Sequence, residues 1–185
     1  RNYQSIKYLM IPKILERVYW PDERLHRPCD KVSNFTEVGQ RFHERLGADM
    51  IATMAYRSGF GLAAPQVGYN IQMLVMLTID SPTDNEPLIL INPRIVELSD
   101  GMFEWREGCI SVPGYFETRK RPNRVVVDFE DPAGDTHQRE FEGLWAFVLL
   151  HEMDHLKGKV FVDDLSSLKK SRVQKKITKT LKHMG

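Results

Sequence analysis

The chain is poor in cysteine, with only Cys29 and Cys109 in 185 residues. Two thiols far apart in a chain of this length exclude a disulfide scaffold and point to a reducing compartment, a bacterial cytoplasm or the interior of an organelle. No apolar run approaches the roughly 18 residues that a bilayer span requires, so no membrane partner is expected. Internal repeats, low-complexity tracts and linkers are absent too, which leaves a single domain over residues 1–185. With 42% hydrophobic and 28% charged residues, that domain has enough apolar side chains for a sizeable core. The opening stretch "RNYQSIKYL" lacks the apolar centre of a secretory signal. Residues 1–9 read as an extension, tag or processed segment, with Met10 a possible start.

A strong net charge is also lacking, at +1, but the balance is uneven. Seven of the 26 basic residues (Lys169, Lys170, Arg172, Lys175, Lys176, Lys179 and Lys182) lie in 166–185, where there is no acid. The remaining 19 bases face 25 acids, so an acidic body carries a basic tail.

Hydrophobic periodicity supplies the elements. Val38, Phe42, Leu46, Met50 and Met54 recur every four residues between Thr36 and Arg57, predicting a helix capped by Asn34 or Thr36 and closed by Gly59. The middle is β-rich. Strands are expected at 72–79, 88–92, 94–98, 124–130 and 137–142, separated by turn formers such as "SPTDNEP" and "DPAGD". Short connections favour antiparallel pairing. The segment 143–158, "GLWAFVLLHEMDHLKG", reads as a helix buried on most sides and ended by Gly158. A last helix carries Leu165, Leu168, Val173, Ile177, Leu181 and Met184 on one apolar side. The expected fold is α+β: mostly antiparallel, short-stranded sheets packed around a central helix, with one helix before them and one at the C-terminus.

Chemistry concentrates in "HEMDH", residues 151–155. Histidines four apart share a helix face, about 5–6 Å between Cβ atoms, and can meet one cation. Glu152 sits one step round, beside an open coordination position, where a carboxylate can act on coordinated water. Three ionisable groups in an otherwise apolar helix are costly unless they have partners. The third ligand is not given by the extended metalloprotease pattern, because Phe161 stands where that pattern has a histidine. Asp163 and Asp164 are downstream candidates. Upstream, Cys109 lies in "EGCIS" (107–111) between strand-like segments, and a thiolate with two imidazoles leaves a tetrahedral cation one free position. A small core residue or a free nucleophile is the other reading of Cys109. The segment "GFGLAAPQVG" (59–68) offers two glycines, small alanines and the Gln66 amide, but lacks the lysine of a phosphate loop.

Together "GFGLAAPQ", "EGCIS" and "HEMDH" resemble the three ordered motifs of the peptide deformylase family. The resemblance runs from about Lys13, through "PDERL", to the terminal helix. It implies a hydrolase that removes the formyl group from the N-terminal formylmethionine of nascent chains and releases formate. It further implies that Cys109, His151 and His155 hold one divalent metal, Fe(II) physiologically, with Zn(II), Ni(II) or Co(II) able to replace it. Glu152 would be base and then acid, while Gln66 and the Ile110 backbone N–H would stabilise the oxyanion. Isoleucine replaces the family's usual leucine at that position. Phe60 and Gly61 would offer the peptide an edge, with Gly108 beside it. Trp105, Leu144, Phe147 and Val148 would line a methionine pocket closed by His151. Trp105 and Phe116 depart from the family's frequent small aliphatic and arginine. Glu107, Asp154 and Arg121 would support the site, Asp154 by pairing with Arg121.

Two rivals contrast with this reading. A metallopeptidase using Asp163 or Asp164 leaves "EGCIS" and "GFGLAAPQ" unexplained. A metal-stabilised RNA-binding module leaves Glu152 without purpose. The basic tail is either a solvated face or a surface for ribosomal RNA; its removal from about Ser171 is expected to spare turnover of short peptides. A monomer is expected.

Overall fold

The structure, a computed structural model, describes residues 11–78 and 87–183. The expected extension at 1–9, most of the "SPTDNEP" turn, Ile79 and Met184 lie outside the described residues. Among the described residues there are three α-helices: α1 (Glu37–Tyr56), α2 (Gly143–Leu156) and α3 (Ser167–Lys182). Seven strands accompany them: β1 (Gly61–Ala63), β2 (Met73–Met76), β3 (Leu88–Leu98), β4 (Met102–Gly108), β5 (Phe116–Pro122), β6 (Arg124–Glu130) and β7 (Thr136–Glu142). They form a five-stranded sheet in the order β1-β2-β3-β6-β7 and a separate β4–β5 ribbon, with antiparallel pairing throughout. The fold is the expected α+β arrangement, and no helix among the described residues is long and apolar enough to cross a membrane.

β2 shows how the layers are held. Alternate residues of a strand face opposite sides. Met73 and Val75 pack with Leu46, Met50 and Met54 of α1, while Leu74 and Met76 pack with Leu149 and Met153 of α2. All four are fully buried, so the sheet is the middle layer between α1 and α2. α2 is buried without a break from Ala146 to Met153. Its end turns at Gly158 (φ 71°), where an added Cβ would come within 2.7 Å of the His26 backbone.

Three expectations need correction, while the two expected caps of α1 resolve to Thr36. Val38 and Phe42 are 66% and 45% exposed, not part of the core. Side chains four apart on a 3.6-residue helix precess by about 40° per step, so Val38 points about 160° away from Met54. The core face instead follows a three-and-four spacing through His43, Leu46, Gly47, Met50, Thr53 and Met54, all buried. α1 is capped by Thr36, whose side chain accepts from Gly39 N–H, and its last helical residue is Tyr56, with Arg57 as C-cap before Gly59. The segments 88–92 and 94–98 are one strand, bulged at Asn92 and Pro93, with Asn92 (φ 50°) exchanging two hydrogen bonds with the Val32 backbone. Leu168 is 65% exposed, about 140° round α3 from the buried Val173.

α3 is no appendage. Val173 and Ile177 sit in a third core with Val18, Trp20, Leu25, Val112 and Phe161. Deleting the chain from about Ser171 would open that core, so the expectation that this truncation spares turnover does not survive the packing.

Candidate active site

Three pieces of chain converge between α2 and the β4–β5 ribbon. α2 carries His151, Glu152 and His155 on adjoining positions, all nine-tenths or more buried. Cys109 follows β4 directly, where the chain turns so that Val112 N–H donates to Cys109 O at 2.9 Å. The ligand-capable atoms of Cys109, His151 and His155 all lie within 4.8 Å of one another, and Cys109 Sγ is 3.2 Å from His155 Nε2. Among the described residues, this is the one group of three or more metal-ligating side chains so arranged.

Asp163 is elsewhere, accepting from Trp20 Nε1 at 3.1 Å and Val160 N–H at 2.7 Å. Asp164 pairs with Arg119 at 3.3 Å. Phe161 is buried with its ring centre 6.1 Å from that of His151, filling apolar space where the extended protease pattern has a ligand.

The third piece is the turn after β1. Ala63 N–H donates to Gln66 Oε1 at 2.7 Å, which fixes the amide so that Nε2 reaches Cys109 Sγ and Ser111 Oγ, each at 3.3 Å. Ser111 is fully buried, and the sequence reading did not single it out although it is the last residue of "EGCIS". Its signal was its place beside the thiol.

Supporting contacts explain the orientation of the donors. His151 Nδ1 donates to Glu107 Oε1, which turns Nε2 toward the cluster. Arg121 binds that same carboxylate through Nη2 at 2.7 Å and Nε at 3.3 Å, and reaches Asp154 Oδ2 through Nη1 at 2.7 Å. One guanidinium thus joins β4, β5 and α2, and the expected Asp154–Arg121 pair is present.

Burial alone would raise the Glu107 carboxyl, but His151 and Arg121 outweigh it and hold it down to about 2. Burial also pushes the Glu152 carboxyl up to about 7. Burial and the neighbouring His151 drive His155 well below its usual range, so its imidazole is neutral, the form a metal needs. At His151 burial works the other way from the outcome: Cys109 and Glu107 prevail and raise it well above the imidazole range. Positive charge is what this cluster attracts. A soft thiol, two imidazoles and a polarising carboxylate fit a borderline divalent ion. His155 Nδ1 and Glu152 Oε2 are buried without a hydrogen-bond partner.

A cavity of about 560 Å³ opens onto the cluster. Its walls include Phe60, Gly61, Trp105, Gly108, Ile110, Leu144, Phe147 and Val148, and Glu107, Cys109, His151 and Glu152 also border it. Gln66 and His155 lie behind this lining. Gly61 faces Glu152 so closely that a Cβ there would stand 2.6 Å from Oε1. Arg17, Arg57, Arg106 and Thr180 complete parts of the wall, and none was singled out from the sequence, since a lone arginine carries no spacing signal.

A buried Cys-His-His donor set with a glutamate beside it on the same helix, opening on a cleft next to an edge strand, is a site able to hold a divalent ion within reach of an extended chain. The family model of polypeptide deformylase matches residues 14–171. The chain is 43% identical over 171 residues to the peptide deformylase of Neisseria meningitidis, covering 92% of this chain and 98% of that one. It is 39% identical over 169 residues to that of Afipia carboxidovorans, covering 91% and 96%. Among solved structures, the Legionella pneumophila peptide deformylase superposes with a TM-score of 0.80 at 37% identity, covering 92% and 97% of the two chains. The chain belongs to the peptide deformylase family and is an enzyme that removes N-formyl groups from nascent peptides.

Proposed function

We propose that the chain hydrolyses the formyl amide of N-terminal formylmethionine with one divalent cation held by Cys109, His151 and His155. The observation that carries this reading is Glu152. Its carboxylate is buried, its Oε2 lacks a partner, and it lies next to both the donor cluster and the cavity. A divalent ion on these three residues would supply Lewis acidity, lowering the pKa of water toward neutrality. Fe(II) is the proposed native ion, with Zn(II), Ni(II) or Co(II) as functional or partial replacements.

Glu152 accepts the proton from the water oxygen that bonds to the formyl carbon. It then delivers that proton to the departing methionine nitrogen as the C–N bond breaks, leaving formate and a free amine. A carboxyl poised near 7 suits both directions of transfer. Negative charge collects on the formyl oxygen, to be met by Gln66 Nε2 and the Ile110 N–H. β1 is an edge strand of the sheet, so the Phe60–Gly61 backbone can pair with the substrate as an added strand. The methionine side chain enters the apolar wall of Trp105, Leu144, Phe147 and Val148, with His151 closing it and Gly108 leaving room for the peptide. We also read the exposed basic face of α3 as a surface for ribosomal RNA, and the enzyme as a monomer.

Metal analysis and a formate-release assay on a formyl-Met peptide, applied to two variants, test the mechanism. Glu152→Gln is expected to keep one metal per chain and lose about 10⁴ in rate, the upper end for an acid–base group. Cys109→Ala is expected to lose the metal, because two imidazoles alone hold a divalent ion poorly. A metal-free Glu152→Gln protein would make the glutamate a ligand. A fully loaded Cys109→Ala protein would place the third ligand elsewhere and overturn the reading.

A further inference from the structure

Most arginines of the body are committed. Arg24, Arg41, Arg45, Arg94, Arg119, Arg121 and Arg124 each have a carboxylate partner. The three in the cavity wall do not. Among the described residues, Arg17, Arg57 and Arg106 have no carboxylate within salt-bridge distance, and their cationic contacts are with the rings of Tyr19, Tyr56 and Phe116 at 4.9, 4.7 and 4.7 Å. Arg57 Nε is buried without a hydrogen-bond partner. Arg17 and Arg57 are close enough to repel one another; burial and then this repulsion help to lower the Arg17 guanidinium below its usual range. The only carboxylates in the wall are Glu107, already bound to Arg121 and His151, and Glu152. The open part of the cavity is therefore positive and lacks a counter-charge of its own.

The placement relative to the reacting end is equally specific. Gly61 lies against Glu152, and the chain runs back through Phe60 and Gly59 to a turn at Ser58 (φ 53°) and then Arg57. Arg17 lines the same cavity and lies close enough to Arg57 to feel its charge, so it borders the same end of the cleft. An extended peptide advances about 3.4 Å per residue, so one paired along 59–61 with its methionine beside Glu152 brings the second or third following residue to Arg57.

We propose that Arg17 and Arg57 select nascent chains carrying an aspartate or glutamate side chain two or three residues after the formylmethionine. This rests on the deformylase reading of the cavity. The guanidinium fork matches a carboxylate, and partial burial strengthens the pair. Arg106, on the opposite wall and stacked on Phe116, adds to the same field.

The test uses C-terminally amidated peptides, so that the side chain is the only carboxylate. Formyl-Met-Ala-X-amide and formyl-Met-Ala-Ala-X-amide are compared with X as Asp, Ala or Lys, on metal-loaded enzyme. Formate release from the neutral peptide reports on the underlying reading, and its absence would overturn that reading and this one together. The ratio among the three reports on the arginines. In at least one series, kcat/KM for Asp is expected to exceed that for Lys about tenfold at low salt, as two half-exposed ion pairs would give. The gap should shrink as ionic strength rises and the Debye length falls. Arg57→Glu, alone and with Arg17→Glu, should reverse the order to favour Lys, with the neutral peptide as each variant's own reference. A merely structural role would lower all three peptides alike. Equal turnover of Asp and Lys peptides by the unmodified enzyme, or an unreversed order in the double variant, would overturn the proposal.

Discussion

At the scale of single residues, the site depends on side chains that are small as much as on those that react. Gly61 is the clearest case, because any Cβ there meets the Glu152 carboxylate at 2.6 Å. The same Cβ would come within 2.7 Å of Glu152 Cγ, so the whole side chain must swing aside. Its proton-transfer position is what would be lost. Gly61→Ala is expected to lower kcat on formyl-Met peptides by about tenfold or more while the melting temperature shifts by only a few degrees. Kinetics and thermal denaturation on the same preparation check this, and an unchanged kcat would mean that Glu152 tolerates displacement. His151, His155 and the glutamate between them were legible in the sequence because two imidazoles one helical turn apart form a recognisable spacing, whereas Cys109 stood among other candidates and was settled only through the family resemblance. The wall arginines were not legible, and Ser111 was marked only by its place in "EGCIS". A single hydroxyl or guanidinium acquires meaning only from neighbours distant in sequence.

Elements divide in the same way. α2 and β6 could be read directly, α2 from an unbroken apolar run and β6 from β-branched alternation. β1 escaped because three residues, Gly-Leu-Ala, carry little strand propensity and are held only by pairing with β2. β4 and β5 escaped because they form a ribbon outside the main sheet, much of it exposed, and pair charged residues across strands, as Glu104 with Lys120 at 3.4 Å. The same lack of tertiary information misplaced Val38 and Phe42, where a four-residue repeat was followed past the point at which it leaves the core. α3 was read with one apolar and one basic side, and Val173 and Ile177 of the apolar side are buried in the third core. Ile177 is 4% exposed in the third core, so Ile177→Ala is expected to cost about 2–5 kcal/mol of stability. Urea denaturation measures that directly, and a loss below about 0.5 kcal/mol would mean that α3 is only loosely attached.

Over the whole molecule, charge is partitioned by face. Val173 and Ile177 hold α3 down, while Lys175, Lys176 and Lys179 remain exposed on it. Reversing those three lysines to glutamate leaves the buried face intact and is expected to reduce co-sedimentation with ribosomes and flatten its salt dependence. Unchanged co-sedimentation would return the helix to a solvated face. A different consequence follows from where the donors sit. Cys109 lies in the turn that directly follows β4, whereas His151 and His155 belong to the helix beneath the main sheet. An ion held by all three would add a tie between these two parts of the fold to those already made by Arg121, by Phe103 against Phe147 and by Glu107 with His151. Such an ion would stiffen the ribbon against α2 by adding a bond at Cys109, at the head of the turn that follows β4. Hydrogen–deuterium exchange should register this as slower exchange of β4 and β5 amides in loaded than in stripped protein, with little change in β6 and β7. Equal exchange in the two forms would mean that the ribbon stays docked without help from the ion.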